Sequence, residues 1–98
     1  MIYHVISKDA WMAAQQQGFY EAPSLALEGF IHCSRQEQVA GVLERYYKGQ
    51  QDLFLLSIDE HKIIAPLKYE MAPSVMEEFP HIYGKLNLDA VINVEEIS

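Results

Sequence analysis

Cysteine is nearly absent: Cys33 is the only one in 98 residues. The chain therefore forms no intramolecular disulfide and no cysteine-rich metal site, and a reducing compartment suits it. Positive charge is scarce as well. Seven Lys and Arg stand against 14 Asp and Glu, a formal charge of −7, and the basic residues are scattered singly. A chain without a basic patch lacks the footprint that grips a phosphate backbone, so nucleic acid is not expected as a partner. No window approaches the roughly 18 apolar residues of a membrane span. The first residues lack a basic start followed by an apolar stretch of roughly 7–15 residues, so no secretory signal is expected. A cytoplasmic, soluble domain follows as the expectation, with a small molecule rather than nucleic acid or membrane as its ligand. Repeats and low-complexity tracts are also missing.

Half of the residues are hydrophobic, and turn residues punctuate the chain. This length suits one domain, residues 1–98, and is too short for two cores. Ile2 to Ile6 reads as a strand with Ile2, His4 and Ile6 on one face. Ser7 caps a helix from Lys8 to Gln17 that turns Ala10, Trp11, Ala13 and Ala14 toward the core and stops at Gly18. Phe19 to Glu28 reads as irregular because of Pro23, with Leu25 and Leu27 as anchors. Gly29 to Cys33 reads as a central strand. Ser34 to Glu37 fits a capping box, and Val39, Val42, Leu43, Tyr46 and Tyr47 then mark one face of a second helix ended by Gly49. The uninterrupted apolar run Leu53 to Leu56 predicts a fully buried strand. Leu67 to Met71 alternates as a half-exposed one. Ser74 to Phe79, between Pro73 and Pro80, reads as a flap with one helical turn, and His81 to Leu88 as a loop or short extended piece turning at Gly84. Asp89 to Glu95 reads as a closing strand with Ala90, Ile92 and Val94 inward. Two early helices followed by strands predict an α+β domain.

Three of the four histidines, His4, His32 and His81, lie in apolar runs, whereas His61 sits in a polar turn. Convergence of these runs on one pocket is the expectation. Three imidazoles suit a zinc site with an open position, but no local ligand spacing is present, and each histidine has an ordinary reading as a hydrogen-bonded core residue. Cys33 adjoins His32 but points to the opposite face of a strand, which argues against a nucleophilic thiolate. Ser34, as an N-cap, and Arg35 beside it would form an anion site at a helix start. Glu28 and Glu70 are the nearest carboxylates, each a solvated acid or a base. Tyr83 and Gly84 offer a hydroxyl and a close backbone approach.

Tyr3-His4-Val5-Ile6-Ser7, Glu28-Gly29-Phe30-Ile31-His32-Cys33-Ser34 and Phe79-Pro80-His81-Ile82-Tyr83-Gly84, with Trp11, Gln38, Tyr69-Glu70 and Ala90-Val91, resemble the bacterial domain-of-unknown-function family DUF952 over essentially the whole chain. More remotely, the two strand ends Tyr-His-x-x-Ser and His-x-Ser resemble the ADP-ribosyltransferase fold, above all its RNA 2′-phosphotransferase branch. That resemblance implies a small split β-sheet with two helices and a cleft for NAD. It places His4 at the adenosine-side ribose, His32 on the nicotinamide side and Ser34 nearby. It implies an NAD-dependent, ADP-ribosyltransferase-like transferase with His32, His4 and Glu70 as catalytic residues. His4, His32, Ser34, Arg35, His81, Tyr83 and Gly84 would bind the cofactor, and no metal is implied. The acidic, short chain lacks the basic residues and winged-helix domain of the RNA-repair branch, and the late-strand glutamate of the wider fold has Glu70 or His81 as its nearest counterpart. A non-catalytic module for a nucleotide or phosphometabolite, or the three-histidine metal site, are the alternatives.

Overall fold

Alternation at the start of the chain builds β1 (Ile2–Ser7), in which Ile2, His4 and Ile6 are all buried. A computed structural model describes residues 1–98. The Ser7 hydroxyl accepts from the Ala10 N–H at 3.1 Å and starts α1 (Lys8–Gln17), which Gly18 ends at φ +91°. Only Trp11 and Ala14 of α1 are buried; Ala13, expected in the core, faces solvent.

The next segment departs from expectation. After the two-residue β2 (Phe19–Tyr20), residues 23–28 form a helix, α2 (Pro23–Glu28). Pro23 begins this helix rather than preventing it, because the first helical N–H has no intrahelical partner to lose. Leu25 packs on the core but Leu27 is 83% exposed. Gly29 is the left-handed stop of α2, so the central strand shrinks to β3 (Ile31–His32).

Ser34 is not a helix cap. Its N–H donates to the Tyr3 carbonyl at 2.7 Å and its carbonyl accepts from the Tyr3 N–H at 2.8 Å, which commits its backbone to β1. The following turn is a 3₁₀ segment, Gln36–Gln38, with the Gln38 side chain accepting from the Arg35 N–H at 2.9 Å. Helix α3 (Val39–Tyr46) follows, and none of its residues is fully buried.

The remaining strands are β4 (Leu53–Ile58), β5 (Leu67–Ala72), β6 (Glu77–Ile82), β7 (Leu86–Asn87) and β8 (Val91–Glu96). The expected flap is instead a turn leading into β6, which pairs with β5 from Leu67↔Ile82 to Ala72↔Glu77. Pro80 and His81 belong to this strand. Of the residues expected inward at β8, Ala90 is fully buried, but Ile92 and Val94 are 49% and 39% exposed, and it is Val91 that packs on the core, beside a register shift at Ser57/Ile58. Leu55 and Phe54 of β4 are only partly buried.

The architecture is α+β, with three α-helices rather than two and three small antiparallel sheets, β1-β4-β8, β2-β7 and β3-β6-β5. Ile2, Leu56 and Ile58 of the first, Leu86 of the second, and Ile31 and Ile82 of the third are all 0% exposed and share one core. Burying a side chain of this size is worth about 1.5–3 kcal/mol, so packing across the sheets outweighs the hydrogen bonds between them. No helix is long and apolar enough to cross a membrane.

Candidate functional site

Where β1 meets β3, a cleft of about 780 Å³ opens, a size suited to a small molecule. His4 comes to it from β1, His32 from β3 and His81 from β6; Tyr20, Phe30 and Ser34 stand among the polar and aromatic residues of its wall. Val42 and Tyr46 of α3, Tyr47 just after it, and Met71 to Ser74 of the β5–β6 hairpin border it as well. None of the lining residues is Lys, Arg, Asp or Glu.

His4 is tied at both nitrogens. Nδ1 lies 2.6 Å from the His32 carbonyl and Nε2 lies 2.9 Å from the Tyr20 hydroxyl. A carbonyl only accepts, so Nδ1–H donates to it, and Nε2 of the neutral ring accepts from Tyr20. Burial lowers the His4 pKa from 6.5 to about 4; the His32 carbonyl opposes this and the charge of His32 adds to it. Tyr20 is pushed up, first by burial and then by Tyr47 and Cys33. His4 thus stays neutral and serves as a fixed post of the cleft. Burial likewise pushes up the Cys33 thiol, which is 3% exposed, so the residue is a thiol and not a thiolate at neutral pH.

The other two histidines each hold a glutamate. His32 Nε2–H donates to Glu28 at 2.7 Å, at the exposed rim. His81 Nδ1–H donates to Glu70 at 2.8 Å, and the Tyr83 hydroxyl donates to the same Glu70 oxygen. Those bonds, from Tyr83 first and His81 second, hold the Glu70 carboxyl below its ordinary pKa, and Glu70 in turn raises that of Tyr83. Phe30 stacks on His81 at 4.0 Å between ring centres with a 19° tilt, and meets His32 edge-on at 4.8 Å. The His32 and His81 rings are 5.3 Å apart.

Of the residues singled out from sequence, His4, His32, Ser34 and His81 line the cleft. Glu70 reaches it through His81, and Tyr83 through Glu70 and through the Phe30 ring, 5.2 Å from its own. Arg35 lies outside: its guanidinium pairs with Glu78 at 2.9 Å and sits 5.1 Å above the Tyr69 ring. The anion site expected at Ser34 and Arg35 does not form, because the Ser34 backbone is used by Tyr3. Gly84 is also outside, packed so closely that a Cβ would come 2.9 Å from Ala65 Cβ. No three His, Cys, Asp or Glu side chains are grouped to hold a metal ion, and the second nitrogen of His4 is already spent on Tyr20. Tyr20, a wall residue, sits in no motif, whereas Phe30 lies in the segment Glu28 to Ser34 without being marked there as a site residue.

The model of the family described as "Protein of unknown function (DUF952)" matches residues 5–94. The chain belongs to the DUF952 family. Its fold is similar to the X-ray structure of protein CC0527 from Caulobacter crescentus, with a TM-score of 0.90 and 31% identity over 99% of this chain and 85% of that one. The solution NMR structure of CC0527 gives a TM-score of 0.85, also at 31% identity, over 99% of this DUF952 chain and 84% of that one. No curated protein matches the chain.

Proposed function

We propose that this DUF952 protein binds a nucleotide metabolite of the NAD or ADP-ribose type in the cleft between β1 and β3, as an ADP-ribosyltransferase-like split-sheet domain. The observation that carries the reading is the meeting of two histidine-bearing strands, His4 on β1 and His32 on β3, at one uncharged, aromatic-walled cleft. Flat heterocycles suit the Phe30, His32 and His81 rings. Ribose hydroxyls suit Ser34, His81 and the serines of the wall. With no Lys or Arg in the lining, recognition rests on heterocycle and ribose, and the phosphates lie toward solvent. The charge of −7 keeps the ligand small rather than a nucleic acid.

Cleavage of a nicotinamide–ribose bond develops positive charge on the sugar. Ring faces and fixed dipoles in a water-poor cleft stabilise such charge without reorganising. One observation favours a second reading, binding without turnover: no carboxylate lines the cleft, and Glu70 is occupied by His81 and Tyr83.

An NMR titration of labelled protein with NAD, ADP-ribose and nicotinamide tests the first claim. Shifts are expected at His4, Phe30 to Ser34 and His81. No shift at millimolar ligand removes these nucleotides from the function. Nicotinamide release over hours at high protein concentration then separates the transferase from the binding module.

A further inference from the structure

We propose that His81 is the proton-accepting group of the cleft, held in place by Glu70 and Tyr83. Its ring bonds through Nδ1 alone, with the hydrogen donated to Glu70. In the neutral imidazole this fixes the lone pair on Nε2. No buried side-chain nitrogen or oxygen in the protein lacks a hydrogen-bond partner, so the unbonded Nε2 is open to solvent. His81 lines the cleft of about 780 Å³. The ring plane is set twice, by the Glu70 bond and by the Phe30 ring stacked on it.

Glu70 is fixed in its turn by the Tyr83 hydroxyl, a bond that favours its ionised form. A carboxylate that holds an imidazole tautomer and stabilises the imidazolium is the orienting third member of an acid–base relay. Glu70 and Tyr83 are therefore positioning residues, and only His81 reaches the ligand. His4 is the internal contrast. It is also 8% exposed, yet both of its nitrogens are spent within the protein.

The proton transfer itself rests on the nucleotide reading. There, the bond between ribose C1′ and the pyridinium nitrogen breaks, and its electron pair neutralises that nitrogen as nicotinamide leaves. The oxygen of water or an alcohol bonds to C1′, and its proton passes to His81 Nε2 and then to solvent.

Acylation by diethyl pyrocarbonate, mapped on peptides by mass spectrometry, reads the free nitrogen without any ligand. His81 is expected to react well ahead of His4 despite their equal burial, and ring ¹⁵N spectra to show the Nδ1–H tautomer. Glu70→Gln is expected to shift that His81 ring signature while leaving that of His4 in place. A His81 as inert as His4, or one carrying its proton on Nε2, overturns the assignment. If the wild-type protein releases nicotinamide, His81→Gln is expected to slow release at saturating NAD about 10²-fold or more, beyond any loss of NAD affinity; an unchanged rate also overturns it. If NAD neither binds nor reacts, the nucleotide reading falls, and the acylation contrast still decides whether His81 holds the available nitrogen.

Discussion

A neutral imidazole buried between a carbonyl and a phenol ties stability to pH. His4 takes up a proton near pH 6.5 in the unfolded chain but only near pH 4 in the folded protein. Between those values the unfolded state binds more protons. The stability is therefore whole above about pH 6.5 and declines as pH falls toward about 4. A shift of this size corresponds to about 3 kcal/mol. Glu70 also has a lowered pKa, so its contribution is lost in a more acidic window, below its ordinary value of 4.5. Urea midpoints measured from about pH 7 to 4.5 are expected to fall for the wild type and to stay nearly flat for His4→Gln. Parallel losses in both proteins would place the acid sensitivity in another group. That His4 sits in an apolar strand is legible from Ile2-Tyr3-His4-Val5-Ile6. Its partner Tyr20 is not, since no local pattern ties residue 20 to residue 4. The link of His81 to Glu70 was hidden for a different reason. It joins diagonal neighbours of the β5–β6 hairpin, and reading residues 74–79 as a flap removed the register that brings them together.

Local chemistry decides which elements can be read from the chain. Helix α1 is bounded by a serine cap and a left-handed glycine, signals that need no tertiary context. Helix α2 is hard to read from the chain because Pro23 suits a breaker as well as a first helical residue, and its stop, Gly29, also suits the strand that follows. Gly29 has φ +92°, and a Cβ there meets nothing within 4 Å. Gly29→Ala therefore incurs backbone strain without a clash. It is expected to lower stability by about 1–2 kcal/mol, seen as a lower melting temperature, with a smaller loss for Gly29→Asn. No loss in either variant would mean that α2 ends by another route. Helix α3 shows the opposite limit. Its apolar stripe is plain in the sequence, yet the stripe is half-covered because it borders the β1–β3 cleft on one side, at Val42, Tyr46 and Tyr47, and a shallower groove on the other, at Val39, Ala40 and Leu43. Periodicity reports that a face is apolar; it does not report how completely the face is covered.

Across the whole molecule, two backbone hydrogen bonds between Tyr3 and Ser34 join the sheet β1-β4-β8 to the sheet β3-β6-β5, and the cleft lies at that junction. No periodicity marks such a joint, which is why Ser34 read as a helix cap: its identity suits a cap, and only the long-range pairing reveals its other use. The backbone and side chain of Ser34 then have separable roles. Its hydroxyl makes no protein hydrogen bond, so Ser34→Ala is expected to keep stability within about 0.5 kcal/mol and to act only on ligand affinity. Ser34→Pro removes the N–H that the Tyr3 carbonyl accepts at 2.7 Å. Leaving that carbonyl unpaired costs about 1–3 kcal/mol, and the proline ring adds strain in a paired segment. Chemical denaturation of the two variants separates the roles. A proline variant as stable as the alanine variant would mean that the shared core alone holds the two sheets together. A destabilised proline variant beside an intact alanine variant would make the Tyr3–Ser34 bridge the joint on which the shape of the cleft depends.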